Sequence, residues 1–193
     1  MAGKSPSEAV ANFLDPIQRA VACVTQAVMR PTGYKLSGKE DELLTFPNGP
    51  VKLRGIDVHL RIVHHYRVVK TSDPKRGPYK VSTVGYDYAF EDLSRKEILA
   101  YHWHPNQRSD TVTPHLHLEQ AAKVGRKELA QAHLPTGRIS IEEMIHVAVR
   151  GFGAQHLKRD WQKILAASHQ AWEDWRTWPS AKIWNSLDTQ DAD

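Results

Sequence analysis

The chain has 193 residues, of which 40% are hydrophobic and 25% charged, and this balance suits one globular domain with a sizeable core. The formal net charge is +4 and the isoelectric point is about 9.2, which permits an acidic or phosphate-bearing partner. The single cysteine, Cys23, excludes an intramolecular disulfide, and no run approaches the length of a membrane span. The N-terminus lacks the apolar segment of a signal peptide, so we expect a cytoplasmic protein without membrane association.

The first third of the chain predicts one helix followed by a loop. Asp15 and Pro16 suit the N-cap and the first residue of a helix that ends before Pro31, although one longer helix kinked at Pro16 fits the same pattern. Residues 37–50 carry several glycines and prolines and predict a loop. We expect a single domain over 1–193, with flexible ends at 1–8 and 179–193.

The middle of the chain alternates apolar and polar residues with a period of two, which is typical of strands. The short spacing between these segments favours an antiparallel meander over parallel units. The predicted strands are 57–70, 79–90, 97–104 and 114–119. The fold class expected is therefore α+β, with an antiparallel sheet meander over about 56–119 flanked by N-terminal and C-terminal helices.

After the meander, apolar residues again recur at the spacing of a helix. Residues 120–131 predict a short helix, and Ser140 with Glu143 forms the pattern of a capping box at the start of another. That helix is expected to stop near Gly151, and a last helix is predicted over about 157–176.

Eleven histidines stand out in the composition, and four of them form two pairs. His102 and His104 alternate with aromatic residues, and His115 and His117 alternate with leucines, so each pair projects from one face of its strand. If the two strands are neighbours, the four imidazoles gather on one sheet face. The alternative is a polar face whose half-buried histidines bond backbone carbonyls.

The paired histidines have two chemical interpretations, and the sequence leaves both open. His102, His104, His115 and His117 could bind Zn or Mn with Asp87, which lies on the same predicted face. They could instead act without a metal as the base and acid of a cleavage reaction, because imidazole titrates near neutral pH.

A second candidate site lies just before the capped helix. His133 is a further candidate catalytic residue, and Thr136 with Arg138 would add donors to the helix N-terminus, which favours anions. The alternative is a tight turn in which proline and glycine only shape the chain.

Charged residues of the first long strand form a third candidate. Arg61 and Arg67 share a face with His59 and His65, and the two arginines are candidates for substrate or anion binding. The alternative is an ordinary solvated sheet face.

The order of these motifs resembles the TumE-like toxin components of bacterial toxin–antitoxin pairs, and also uncharacterised actinobacterial proteins of similar build. The resemblance covers about 56–165 and implies a small toxin with an antitoxin partner. The segments that carry it are His65-Tyr66-Arg67, Tyr86-Asp87, His102-Trp103-His104, His115-Leu116-His117, residues 132–138, Ser140-Ile141-Glu142-Glu143 and Asp160-Trp161.

Two classes of function follow. The first is a ribonuclease-like hydrolase directed at nucleic acid, with RNA as substrate and the histidine cluster as its centre, either metal-free or metal-assisted. The second is a non-catalytic module that binds a protein or a nucleic acid, in which the histidine-rich sheet face is structural.

Overall fold

The structure is a computed structural model, and it describes residues 2–36, 40–72, 77–105, 111–123, 129 and 132–175. It contains three α-helices and a nine-stranded sheet in which every pairing is antiparallel. The N-terminal and C-terminal helices flank the sheet, which confirms the predicted α+β class. In the described part of the chain, no helix combines the length and apolar character needed to cross a membrane.

The helices are α1 (Pro6–Val21), α2 (Ile141–Arg150) and α3 (Trp161–Trp175). Helix α1 begins earlier than the Asp15 cap predicts, because Ser5 caps it and Pro6 fills its first turn. Pro16 therefore lies inside one longer helix. Residues 2–8 of the segment expected to be flexible include β1 and the start of α1, and 179–193 lies outside the described residues.

The strands are β1 (Ala2–Gly3), β2 (Arg30–Pro31), β3 (Glu42–Thr45), β4 (Val51–Lys52), β5 (His59–Lys70), β6 (Tyr79–Glu91), β7 (Glu97–Trp103), β8 (His115–Leu118) and β9 (Leu134–Pro135). The four predicted strands correspond to β5, β6, β7 and β8. Strand β3 lies in the segment predicted as a loop. The predicted helix over 120–131 begins as a 3-10 turn at Gln120–Ala122, and most of the remainder lies outside the described residues.

The sheet runs in the order β2-β3-β5-β6-β7-β8-β9, with β1 paired to β6 and β4 paired to β5. Its two outermost strands, β2 and β9, have two residues each, and each contains a proline. The long central hairpin of β5 and β6 has a register shift between His65 and Tyr66.

One face of the sheet is covered by helices and holds the core. Along β5 every second side chain is buried, and Leu60, Ile62, His64, Tyr66 and Val68 point into the core. Phe13 of α1 packs its ring against His64 and Tyr66. The alternate residues of β5 point to the opposite face, where the polar candidates lie.

Candidate functional site

The strand register places the histidine pairs beside one another. Strands β7 and β8 are neighbours, and His102 lies directly opposite His115. On the other side of β7, His102 lies opposite Asp87 of β6. Directly paired residues of an antiparallel sheet point to the same face. The two histidine strands, whose adjacency the sequence left open, are therefore neighbours, and their polar face is the one turned away from the core.

Three of the predicted histidines converge. One ring nitrogen from each of His102, His115 and His117 lies within 4.8 Å of the other two. The ring centroids are 4.8 Å apart for His115 and His117, 4.9 Å for His102 and His117, and 5.8 Å for His102 and His115. Three imidazoles at this spacing can share one ligand.

His133 joins this group from the far edge of the sheet. Strand β9 pairs with β8, with Pro135 opposite His115, so the residue just before β9 reaches the same face. The ring of His133 is 4.4 Å from that of His117 and 4.9 Å from that of His115. His133 is exposed, whereas His115 is only 5% exposed, so His133 lies on the solvent side of the cluster.

His104 does not join the three converging histidines. Its ring centroid lies 5.9 Å from His102 and 5.8 Å from His65 of β5. His65 lies opposite Gly85, which has no side chain between the two rings. The alternation of β5 predicts the face of His65, but its neighbour across the sheet depends on the register. His65 was therefore missing from the predicted catalytic and metal sets.

His115 is buried, whereas Leu116 and Leu118, which alternate with the histidines along β8, are only half-buried. Burial lowers the pKa of His115, and burial together with the neighbouring histidines lowers the pKa of His117 to about 4. Burial also lowers the pKa of His104. These imidazoles are neutral at physiological pH.

Each of the three converging histidines has an oxygen atom beside one ring nitrogen. His115 Nδ1 donates to the carbonyl of Thr113 at 2.7 Å. His102 Nε2 lies 3.3 Å from Asp87 Oδ1, and His117 Nδ1 lies 4.0 Å from a carboxylate oxygen of Glu119. The hydrogen bond of His115 fixes the tautomer of that imidazole and leaves its other nitrogen for a metal, whereas the contacts of His102 and His117 are not aligned or short enough to be hydrogen bonds.

Asp87 is held as a carboxylate by its neighbours. Arg61 Nη1 donates to Asp87 Oδ2 at 2.9 Å. Burial alone would raise the pKa of Asp87, but the contact with His102 and the charge of Arg61 lower it to about 2. Ligand atoms of Asp87, Glu97 and His102 also lie within 4.8 Å of one another, but Arg61 bonds both carboxylates. Asp87 is therefore placed to orient His102 rather than to bind an ion itself.

The predicted anion-binding arginines of β5 are engaged with carboxylates. Arg61 contacts Glu91 at 2.8 Å and Glu97 in addition to Asp87. Arg67 contacts Asp41 at 2.5 Å. Their positive charges are balanced within the protein, which corrects the expectation that they present a cationic surface to a substrate.

Arg138 lies on the other side of the sheet from the histidines. Its guanidinium carbon is 3.7 Å from the ring centroid of Trp103, which points into the core, and it lines a small cavity with Tyr86 and Phe13. The single site that would have combined Arg138 with the paired histidines is therefore not formed. The physical reason is the alternation of β7, which sends Trp103 and His102 to opposite faces.

The N-terminus of α2 is also closed to an external anion. Ser140 Oγ accepts from the amide of Glu143, and Glu143 accepts from the amide of Ser140, which confirms the capping box. Ser140 and Glu142 are buried, and Glu142 and Glu143 add negative charge to the first turn. The Thr136 hydroxyl oxygen is buried and has no hydrogen-bond partner. This segment shapes the chain and caps the helix.

Comparison of the chain with protein-family models, curated proteins and solved structures finds no match. The resemblance to TumE-like toxins stays a prediction.

Proposed function

We propose that this protein is a metal-dependent hydrolase that cleaves phosphodiester bonds in nucleic acid, with one ion held by His102, His115 and His117. The observation that carries the proposal is the convergence of one ring nitrogen from each of these histidines to within 4.8 Å of the others. Three protein ligands with one position left open are the arrangement of catalytic zinc sites, whereas structural zinc sites are closed by four.

The donor set favours zinc over manganese. Imidazole nitrogens suit Zn²⁺, whereas carboxylates suit Mn²⁺, and the nearest carboxylate, Asp87, is engaged with Arg61. Tetrahedral bonds of about 2.0–2.1 Å place ligand nitrogens about 3.4 Å apart. The histidines therefore need to close by at most about 1.4 Å around an ion, which side-chain rotation can supply.

The same geometry speaks against metal-free acid–base cleavage. A base and an acid need to lie on opposite sides of the scissile bond, but these histidines surround one point. A general acid or base also works best with a pKa near the operating pH, and the pKa of His117 is lowered to about 4. Neutral imidazoles are the form that a metal requires.

His133 is the side chain best placed for proton transfer. It lies beside His115 and His117 but outside the group of three, and it is exposed. An ion held there would act as a Lewis acid for the phosphoryl oxygen and would lower the pKa of water. As the water oxygen bonds to phosphorus and the P–O bond to the leaving nucleotide breaks, His133 would take the proton of the water and pass it to the leaving oxygen. Asp87 would hold the His102 imidazole in place.

Two observations support a nucleic acid as the substrate. The net charge of +4 favours a polyanion, and the order of motifs resembles that of TumE-like toxins. In this proposal RNA is the substrate and an antitoxin protein is the partner that restrains the activity.

The first experiment measures metal content by elemental mass spectrometry on protein purified without a histidine tag or chelator. We expect about one equivalent of zinc in the wild type and none in the His102→Ala/His117→Ala double variant. The matched control is His146→Ala/His156→Ala, which removes two exposed histidines outside the cluster and leaves the metal in place. A wild type without bound metal, even after incubation with zinc, would refute the metal site.

The second experiment tests the substrate. Zinc-loaded protein is incubated with labelled single-stranded RNA, with and without a chelator, and with DNA in parallel. We expect cleavage of RNA that a chelator abolishes and that His133→Ala greatly slows without loss of the metal. Bound zinc without cleavage of either nucleic acid would refute the nuclease assignment.

A non-catalytic module is the second candidate, and one observation favours it. Arg61 and Arg67 are engaged with carboxylates and Arg138 lies on the opposite face, so none of these predicted anion binders is presented to a phosphate beside the cluster. In that case an ion would stabilise the short strands β8 and β9. Zinc would raise the melting temperature and the affinity for a partner, with no hydrolysis.

A further inference from the structure

We infer that Arg61 is a positioning residue of the metal centre, which acts through Asp87 to hold the His102 imidazole for the ion. The inference rests on the proposed metal site and adds a residue that reaches the ion only through two others. Arg61 was a candidate for substrate binding on sequence grounds, and its contacts give it a different role.

The first step is the ion pair between Arg61 and Asp87. Arg61 Nη1 lies 2.9 Å from Asp87 Oδ2, and the two side chains are 21% and 25% exposed. Each lies on a central strand of the sheet, β5 or β6. This single charge-assisted hydrogen bond comes from a rigid, planar guanidinium and fixes the position of Oδ2, so Arg61 limits the rotation of Asp87.

The second step is the contact between Asp87 and His102. Asp87 Oδ1, the oxygen that Arg61 leaves free, lies 3.3 Å from His102 Nε2. Both atoms are buried, and neither has a well-aligned hydrogen bond. In the proposed centre the ion lies on the other ring nitrogen, Nδ1, and a small turn of the imidazole would align the bond between Nε2 and Asp87. Carboxylate–histidine–metal arrangements of this kind orient the ligand and raise its basicity.

The guanidinium is itself fixed in place. Arg61 Nε donates to Glu91 Oε1 at 2.8 Å, and Arg61 Nη2 donates a hydrogen bond to Glu97 Oε1. Glu91 is 5% exposed and also accepts from Arg95 Nε at 2.8 Å. Arg61 is thus held on two sides by Glu91 and Glu97, which fixes its guanidinium beside Asp87.

The affinity for the metal ion should change in opposite directions on loss of Arg61, depending on whether Arg61 acts only as a charge or positions Asp87. Removing a positive charge near a cation site should tighten binding by Coulomb attraction. Losing the support of Asp87 should instead weaken binding, by about 10- to 100-fold for an outer-sphere partner of a ligand histidine. The direction of the change therefore separates the two accounts.

The test measures the dissociation constant of Zn²⁺ by competition with a chelating dye, on the full chain after metal removal. The variants are Arg61→Gln, Asp87→Asn and the double variant. The matched control is Arg67→Gln, which removes an arginine of the same strand and face whose contact is with Asp41. Melting of the metal-free proteins reports any general loss of stability.

We expect Arg61→Gln and Asp87→Asn each to raise the dissociation constant about 10- to 100-fold, and Arg67→Gln to leave it within about twofold. The double variant should be no worse than Asp87→Asn, because Arg61 acts only through Asp87. The visible spectrum of bound Co²⁺ should change in the same way in both single variants, since both free the same imidazole.

If the wild type binds zinc and Arg61→Gln binds it as tightly or more tightly, the inference is overturned. The proposed metal site itself would still stand. Additive losses in the double variant would also overturn it. Failure of the wild type to bind zinc would instead refute the proposed function. If Arg61→Gln does not fold, Asp87→Asn carries the test, because it keeps the shape of the side chain, and unchanged affinity there overturns the inference as well.

Discussion

His64 should contribute to the pH dependence of this protein's stability, and replacing it should remove that contribution. The side chain is 4% exposed on the core face of β5. Its Nδ1 lies 2.5 Å from the Tyr88 hydroxyl and its Nε2 lies 3.1 Å from the Thr83 hydroxyl. Burial, with a smaller contribution from His65, lowers the pKa of His64 from 6.5 to about 3.

The sign and size of the effect follow from linkage. The unfolded chain takes up a proton at His64 below pH 6.5, whereas the folded chain does so only near pH 3. Folding is therefore favoured fully above pH 6.5, and this contribution is lost as the pH falls towards 3. Between about pH 8 and pH 5 the loss amounts to about 2 kcal/mol in the free energy of unfolding.

The assay compares urea unfolding of the wild type and His64→Gln across this pH range, in the presence of a chelator. Glutamine can offer a donor and an acceptor to Thr83 and Tyr88 but does not titrate. The other histidines titrate in both proteins, so the difference between the two curves isolates His64. We expect the wild type to lose about 2 kcal/mol more than the variant on going from about pH 8 to pH 5. Parallel curves, or a larger loss in the variant, would refute the assignment.

Three further predictions concern the cap, the core and the ion. Ser140→Ala should lower the free energy of unfolding by about 0.5–2 kcal/mol, because it leaves the amide of Glu143 without its partner. Urea unfolding measures this loss, and no loss would show that the capping box does not stabilise α2. Ile62→Ala should cost about 2–5 kcal/mol, since Ile62 is fully buried, whereas Val63→Ala on the opposite face of β5 should cost less. Zinc at about one hundred times its dissociation constant should raise the free energy of unfolding of the wild type by about 2.7 kcal/mol in the same assay. An equal rise in the His102→Ala/His117→Ala variant would show that the ion binds elsewhere.

The long strands could be predicted because the alternation of apolar and polar residues in their sequence matches the alternation of buried and more exposed side chains in the structure. Strand β5 has twelve residues, and its buried side chains follow the sequence period closely. Strands β3 and β9 could not be predicted, since segments of four and two residues are stabilised by their partners more than by their own pattern. The N-terminus of α1 was misplaced because Asp15-Pro16 resembles a helix start, although Ser5-Pro6 is the start that forms.

The sequence predicts which face of the sheet carries the candidate site, but it does not predict which side chains of that face are neighbours. Alternation alone puts His102 and His104 on one side, but only the register shows that His102 meets His115 while His104 meets His65. The partners of Arg61 come from β6 and from the residue that begins β7, and no spacing in the sequence identifies them. A charged residue on a polar face therefore predicts a location, and its role depends on the strand beside it.

The two-residue strands that end the sheet have a consequence for how another chain can bind. A strand added from outside needs a row of free backbone amides and carbonyls. Strands β2 and β9 offer two residues each, and Pro31 and Pro135 have no amide hydrogen to donate. Among the described residues, these two strands are therefore poor templates for an added strand, and a partner that meets the sheet at either of them would have to recognise side chains.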